Sequence, residues 1–443
     1  MRGRRWTAGF LGACVAAGCR SSGATGEEPS KPADVPIHGS LVSRYEGRST
    51  GSVHDHDLQE VLTLEVGDKK KDKVTGFVMA EGLADLDGNG SDPSGTFHSL
   101  ADTWSGAVTA RLFHAYADVQ ATDALPTLRV GRQMIVDTPV VAYFDGLRAE
   151  TKELGQARVR FGAYGGVPVQ IYAPSAGESM LGFFGETRPW EGGRVRADWL
   201  HSADQGEFGP RDDDLLGIGG SQNFGKTLRF DLEHTRLESE ARDLRVRGTY
   251  YAQDSDLVLQ ASWYRLLETQ GDLAVPMDPY FATLHELFPY DQVGFLASKS
   301  LGSHLDVQAG LDLRRVEEDA DIGTFNHDYH RFFATADVLS VLPLAIDLSL
   351  TGEVWESTTN DVRTFGAGLT RKMGETVEAG LGTYYAMYKY DLYQDRELDD
   401  VRTWYVSVDW KRSESTRFDL RYEFEDDPDA EYHSVRLGAT WRF

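Results

Sequence analysis

Beyond residue 19 the chain has no cysteine. Its only two, Cys14 and Cys19, fall in the first twenty of 443 residues. The body therefore carries no thiol chemistry, no cysteine-based metal site and no covalent haem attachment. After the N-terminus no apolar run approaches the roughly 18 residues that a membrane helix needs. Basic charge is short, with 45 Lys and Arg against 70 Asp and Glu and a net charge of −25. That balance excludes a nucleic-acid partner, whose phosphates would be repelled, and it opposes peripheral binding to anionic lipid. No Ser/His or Asp/His spacing singles out a hydrolase constellation, so the sequence predicts no enzyme.

What the chain does have is glycine (46 residues), aromatics (11%) and alternation. In Ser434 to Phe443 (SVRLGATWRF), Val435, Leu437, Ala439, Trp441 and Phe443 share one parity, while Arg436, Gly438, Thr440 and Arg442 share the other. Successive side chains of a strand point to opposite faces, so this is a strand with one apolar and one polar face. An amphipathic terminal strand ending in Phe resembles the C-terminal signal of bacterial outer-membrane β-barrels. The resemblance implies that Trp441 and Phe443 face lipid or its aromatic belt, and that the barrel-assembly machinery reads them.

Amphipathic segments of about ten residues recur along the chain. Candidates lie at 40–49, 57–66, 73–83, 106–119, 127–136, 142–150, 156–166, 178–188, 192–202, 213–223 and 226–237. They continue at 241–252, 256–268, 290–300, 303–316, 327–340, 342–356, 361–373, 374–390, 400–412, 414–425 and 431–443. The clearest is 342–356, where Leu344, Ile346, Leu348, Leu350 and Val354 alternate with Asp347, Ser349, Thr351 and Glu353. Counted back from the C-terminus, connections alternate short (near residues 413, 374, 302, 255, 225 and 190) and long (391–399, 317–326, 269–289, 203–212, 167–177 and 84–105). Barrels have short periplasmic turns and longer outer loops. The expected fold is all-β: a transmembrane antiparallel up-and-down barrel with an even number of strands, about 18–22. A hydrophilic composition is compatible with it, because half of each strand faces a polar lumen.

The N-terminus reads as an export signal over residues 1–18, with Arg2, Arg4 and Arg5 before a short apolar core. Val15 to Cys19 resembles a bacterial lipobox, which implies a lipoprotein lipidated at Cys19; Leu11 to Cys14 is the competing site, and ordinary cleavage is the plain alternative. Ser21 in place of Asp gives no sign of inner-membrane retention. Residues 19–39, rich in Ser, Gly, Glu and Pro, read as a disordered periplasmic tether. The barrel is expected over 40–443.

Inside the barrel, Leu128 to Gln133 (LRVGRQ), Thr138-Pro139-Val140 and Tyr143 to Gly146 (YFDG) resemble an early strand pair of OprD-type porins and alginate-export barrels of Gram-negative outer membranes. The resemblance implies a monomeric barrel, often of 18 strands, with a narrow lumen and a basic ladder on one wall. The basic lumen candidates here are Arg194, Arg196, Arg229, Arg245, Arg247, Arg314, Arg417, Arg421, Arg436 and Arg442. Asp198, Asp231, Glu233, Asp312, Asp419 and Glu423 accompany them. This interleaving departs from a clean ladder, and cross-strand salt bridges bracing the wall explain it as well.

Asp85-Leu86-Asp87-Gly88-Asn89-Gly90 matches the first half of a calcium loop, with Asp85, Asp87 and Asn89 as ligands, but Thr96 stands where the bidentate Glu belongs. A Gly- and Asp-rich outer loop gives the same pattern. His54-Asp55-His56-Asp57, read as a loop, and the pair His327 and His330 have only generic metal-ligand spacing. Residues 278–288 suggest one short helix in a long outer loop, as a constriction or a rim cap.

The expected function is a passive outer-membrane channel for small hydrophilic solutes or ions. Cation preference is expected from acidic loops containing Asp85, Asp87, Asp92, Asp212 to Asp214, Glu317 to Asp319, Asp321, Asp399, Asp400 and Glu425 to Asp427. The same loops could instead bind divalent ions that bridge lipopolysaccharide. Alternatives are a sleeve around a partner, such as a multihaem cytochrome conduit or an exported polymer, and an outer-membrane enzyme.

Overall fold

The structure is a computed structural model. It describes residues 35–87, 97, 108–136, 141–169, 178–204, 211–268, 288–317, 327–342, 344–357, 362–391, 396–428 and 430–443. Cys14, Cys19, Asn89, Asp92, residues 318–321 and all but Phe288 of the expected helix at 278–288 lie outside these. The first eleven strands are β1 (Ile37–Thr50), β2 (Val53–Val66), β3 (Val74–Asp85), β4 (Val108–Val119), β5 (Thr127–Ile135), β6 (Ala142–Glu150), β7 (Arg160–Pro168), β8 (Ser179–Thr187), β9 (Gly193–Asp204), β10 (Arg211–Phe224) and β11 (Leu228–Leu237). The rest are β12 (Glu240–Ala252), β13 (Leu257–Leu266), β14 (Tyr290–Leu301), β15 (Leu305–Val316), β16 (Tyr329–Leu342), β17 (Ile346–Ser357), β18 (Val362–Met373), β19 (Val377–Asp391), β20 (Arg396–Lys411), β21 (Thr416–Asp426) and β22 (Glu431–Arg442). Each candidate segment overlaps one strand, except 342–356, which runs from the end of β16 into β17, and the count is the top of the expected range.

Every strand pairs antiparallel with its sequence neighbours, and β1 also pairs with β22, from Ser40 opposite Arg442 to Ser49 opposite His433. The sheet is thus a closed up-and-down barrel, which leaves no edge running its whole length. Closure continues past β22: Gly39 N–H donates to the Phe443 carbonyl (2.9 Å) and Phe443 N–H to the Gly39 carbonyl (3.0 Å). Ile37 to Gly39, expected in the tether, belong to β1 and pair with Leu64 to Val66 of β2. At a strand spacing of about 4.8 Å and a tilt of about 40°, a circular 22-strand barrel is roughly 44 Å across between backbones.

The register sorts every strand into two faces. Large exposed apolar side chains, among them Phe183, Ile218, Phe230, Phe295, Phe332, Phe365, Leu381, Val406 and Leu437, share one face around the barrel. That face meets lipid, and the charged and small polar residues opposite it form the lumen wall. A closed barrel with this exterior belongs in the bacterial outer membrane. The end carrying the start of β1 and the end of β22 is taken as periplasmic.

Connection lengths alternate less strictly than the sequence suggested. At the surface end, β1–β2 and β11–β12 are joined by two residues each, 51–52 and 238–239. At the periplasmic end, 67–73, 120–126 and 151–159 are longer than tight turns. The last of these is held by its own pair, Leu154 with Val159. In the 67–73 turn, the Lys70 backbone N–H and the Lys71 ammonium hold the Asp68 carboxyl below the usual range. The segment 342–356 is not one strand. Leu344 and Ala345, at φ 69° and 52°, form the turn between β16 and β17. A tight hairpin can preserve the alternation, so the pattern ran through the turn unseen.

Candidate functional site: the lumen wall

The register places Arg194, Arg196, Arg229, Asp231, Arg245, Arg247, Arg417, Asp419 and Arg421, among the lumen candidates, on the lumen face. Their pairing differs from a cross-strand brace. Arg148 with Glu150, Arg196 with Asp198 (2.7 Å), Arg229 with Asp231 (2.7 Å) and Arg421 with Glu423 (2.6 Å) join residues i and i+2 of one strand. Such residues share a face, and an arginine is long enough to fold along its own strand. Cross-strand pairs also occur: Arg129 with Asp118 (2.7 Å), Arg331 with Glu353 (2.7 Å) and Asp312 (3.2 Å), and Arg436 with Glu46 (2.8 Å) across the closing seam.

On β6 to β9 the pairs merge into a network centred on Glu186, whose side chain is 4% exposed. Its carboxylate meets Arg194 (2.8 Å), Arg160 (3.1 Å), Arg188 (3.6 Å) and Arg196 (3.7 Å). Arg160 reaches on to Glu150 (3.5 Å). Arg196 stacks over the Phe184 ring, 4.0 Å from its centroid. The rings here lie flat over glycines of the neighbouring strand. A Cβ on Gly162 would come within 2.1 Å of Phe184, and one on Gly182 within 2.1 Å of Tyr164. The missing side chains leave room for large aromatics on the wall.

Toward the surface end the lumen face turns apolar and buried. Ile135, Ala142, Phe144, Tyr164, Met180, Leu200 and Leu215 pack into one cluster across β5 to β10, with Leu237 against it. Phe97, from the β3–β4 connection, sits edge-on to Tyr432 (6.3 Å) and beside the Arg48 guanidinium (5.5 Å). Toward the periplasmic end, Arg229 and Arg417 keep 49% and 58% of their side chains exposed. The apolar cluster leaves no sign in the sequence, because its members are scattered over six strands.

A second feature is an acidic arc at the periplasmic end of β15 to β21. The register sets Asp306 opposite Asp337, Glu378 opposite Asp409, and Asp409 opposite Asp419. Like charges directly opposed destabilise a sheet. Arg417 bonds Asp409 (2.6 Å) and relieves part of this. No spacing within one strand could have shown these pairs.

Other expected sites fall out differently. His54 to Asp57 lies on β2, not in a loop, so His54 and His56 face lipid while Asp55 and Asp57 face the lumen. The four cannot converge on one ion. Arg48 holds both aspartates, at 3.0 Å from Asp57. His330 faces lipid on β16, and among the described residues no group of three or more His, Cys, Asp or Glu is placed to hold a metal. The Asp85 carboxylate accepts the Asp87 N–H (3.1 Å), and Asp87 accepts the His56 N–H (3.0 Å). Asp212 to Asp214, Asp399, Asp400, Glu425 and Asp426 lie on strands rather than in loops, because the strands run beyond the apolar band. Asp213 is buried on the lumen face, and Asp214 on the lipid face meets His201 (3.1 Å). Trp441 and Phe443 lie on the lipid face, 55% and 47% exposed, with ring centroids 5.4 Å apart.

No family model matches the sequence, and no curated protein does. Among solved structures the chain is similar to the P pilus usher (PapC) translocation pore, with TM-score 0.53 and 9% identity over 92% of this chain and 99% of that one. It is also similar to the siderophore receptor PirA from Pseudomonas aeruginosa, with TM-score 0.57 and 10% identity over 94% of this chain and 81% of that one. OccK3 (OpdO) from Pseudomonas aeruginosa aligns over 92% of this chain and 95% of its own at TM-score 0.40 and 16% identity. At such identities the first two likenesses show the fold, a large outer-membrane β-barrel.

Proposed function

We propose that this barrel is a passive outer-membrane channel for small hydrophilic solutes or ions, with no catalytic role. The observation that carries this reading is the closed wall with a charged lumen face, whose arginines stand exposed toward the periplasmic end. Folding 22 strands around a polar interior is costly unless that interior holds water or a cargo. Purified protein in planar bilayers is expected to give discrete conductance steps. A folded, heat-modifiable barrel that never conducts would overturn the channel and leave the sleeve for a partner as the better reading.

The channel prefers cations. The acidic arc supports this more directly than the loops do, since Asp306 with Asp337 and Glu378 with Asp409 are pairs that a passing cation relieves. In a KCl gradient the reversal potential is expected to show potassium permeating a few-fold faster than chloride at 0.1 M. The preference should fall toward unity at 1 M, as the screening length shrinks from about 10 to about 3 Å. Anion preference at low salt would show that the arginines of β9 to β12 control passage. On this reading, divalent ions that bridge the rim to lipopolysaccharide and lipidation at Cys19 would be accessory features of the same outer-membrane protein.

A further inference from the structure

Among the described residues the hydrogen-bonded ladder between β4 and β5 is short. It covers five pairs, from Val119 opposite Leu128 to Ala115 opposite Arg132. Beyond it, among the described residues, Leu112 and His114 of β4 pair only with β3, and Gln133 to Ile135 of β5 only with β6. The ladder ends beside Gly131, at φ +121°, where a Cβ would lie 2.1 Å from the Ala115 carbonyl, so the two strands approach there as only glycine permits. On the other side of the opening, β4 carries a bulge at Phe113, between Met79 and Ala80 of the register.

Unpaired carbonyls facing hydrocarbon cost several kcal/mol each. Here side chains satisfy them instead of a strand. Arg132 donates from Nη1 to the Leu112 carbonyl (2.9 Å), and the Tyr143 hydroxyl donates its one proton to the Phe113 carbonyl (2.5 Å), with the Leu112 carbonyl at 3.3 Å. Asp145 holds Arg132 with two bonds, 2.8 and 2.6 Å. These residues share the lipid face with Met134 and Leu147, where an ion pair is otherwise unfavourable. From the lumen side His114 meets the Tyr143 ring edge-on at 6.0 Å, and its buried Nδ1 has no hydrogen-bond partner. Immediately inside lie Ile135 and Phe144, the start of the apolar cluster.

We infer that the β4–β5 seam is a lateral gate, closed in this structure. It would pass an amphipathic molecule with an unbranched apolar chain between the lumen and the outer leaflet. Opening requires rotation of Tyr143 and Arg132, not the breaking of a strand ladder. Ile135 and Phe144, buried in this closed state, are the apolar side chains that an entering chain would meet once the seam opens, and His114 Nδ1 offers the head group a hydrogen bond. The inference rests on the barrel being in the outer membrane but not on its conducting ions.

The test uses the full-length protein in proteoliposomes with a diazirine-bearing dodecanoate, photolysed and mapped by mass spectrometry. Adducts are expected on His114, Gln133 or Ile135, which face the lumen. Adducts confined to lipid-facing residues such as Val130, Met134 and Leu147 would overturn the gate. Tyr143→Ala removes one of the side-chain bonds across the opening and is expected to raise lumen-face labelling about five-fold, with axial conductance unchanged. Lumen-face labelling that Tyr143→Ala leaves unaltered, in a variant that is still heat-modifiable, would show entry along the barrel axis and overturn the lateral route. Absent conductance with the labelling pattern intact would count against the channel and not the gate.

Discussion

Deleting Phe443 is expected to abolish accumulation of the folded barrel in the outer membrane, with a loss on the order of ten-fold or more. The residue contributes both backbone bonds that tie β22 to Gly39 beyond the β1–β22 ladder. Its ring lies on that glycine, where a Cβ would come within 2.7 Å of it. Without Phe443 the Gly39 N–H and carbonyl lose their partners at the membrane boundary, where replacement by water is incomplete. We further propose that Trp441 and Phe443 are what the barrel-assembly machinery reads, so the loss should exceed what closure alone explains. Comparing the deletion with Phe443→Ala separates the two effects, because alanine keeps the backbone bonds and removes the ring. Heat-modifiability on gels and outer-membrane fractionation provide the measurement. Normal levels of folded protein after the deletion would sink both claims.

Glu186→Gln is expected to destabilise the barrel by about 3–5 kcal/mol. The substitution hardly changes volume. It leaves Arg160, Arg188, Arg194 and Arg196 converging within 4 Å of a site with no negative charge. Asp198 and Glu150 compensate part of this for Arg196 and Arg160, but Arg194 keeps no other ion pair among the described residues. Denaturant unfolding in detergent micelles measures the effect, and Glu186→Asp should recover much of it. Glu186→Gln also adds net positive potential to this wall, so potassium preference at low salt should weaken. Unchanged stability in Glu186→Gln would mean that solvent in the lumen already screens the four guanidiniums.

The sequence determined the architecture because alternation is a local property. A period of two needs no partner strand to be visible, and a membrane-spanning strand must repeat it for about ten residues. Hence β21 was legible through Phe418, Leu420, Tyr422 and Phe424, and β22 announced its lipid face through Leu437, Trp441 and Phe443. The lumen assignment of Arg229 and Arg417 followed from the same parity. Tertiary structure alone decided who meets whom. The opposition of Asp409 to Asp419, the four arginines on Glu186, and the apolar cluster from Ile135 to Leu215 all depend on register. Turn length and bulges set that register, and a change of one residue turns every side chain over. The turn hidden at Leu344 and Ala345 and the bulge at Phe113 leave no mark on the pattern of apolar and polar residues. The seam between β4 and β5 was equally invisible, because it is an absence of pairing between two segments that each alternate as a strand should.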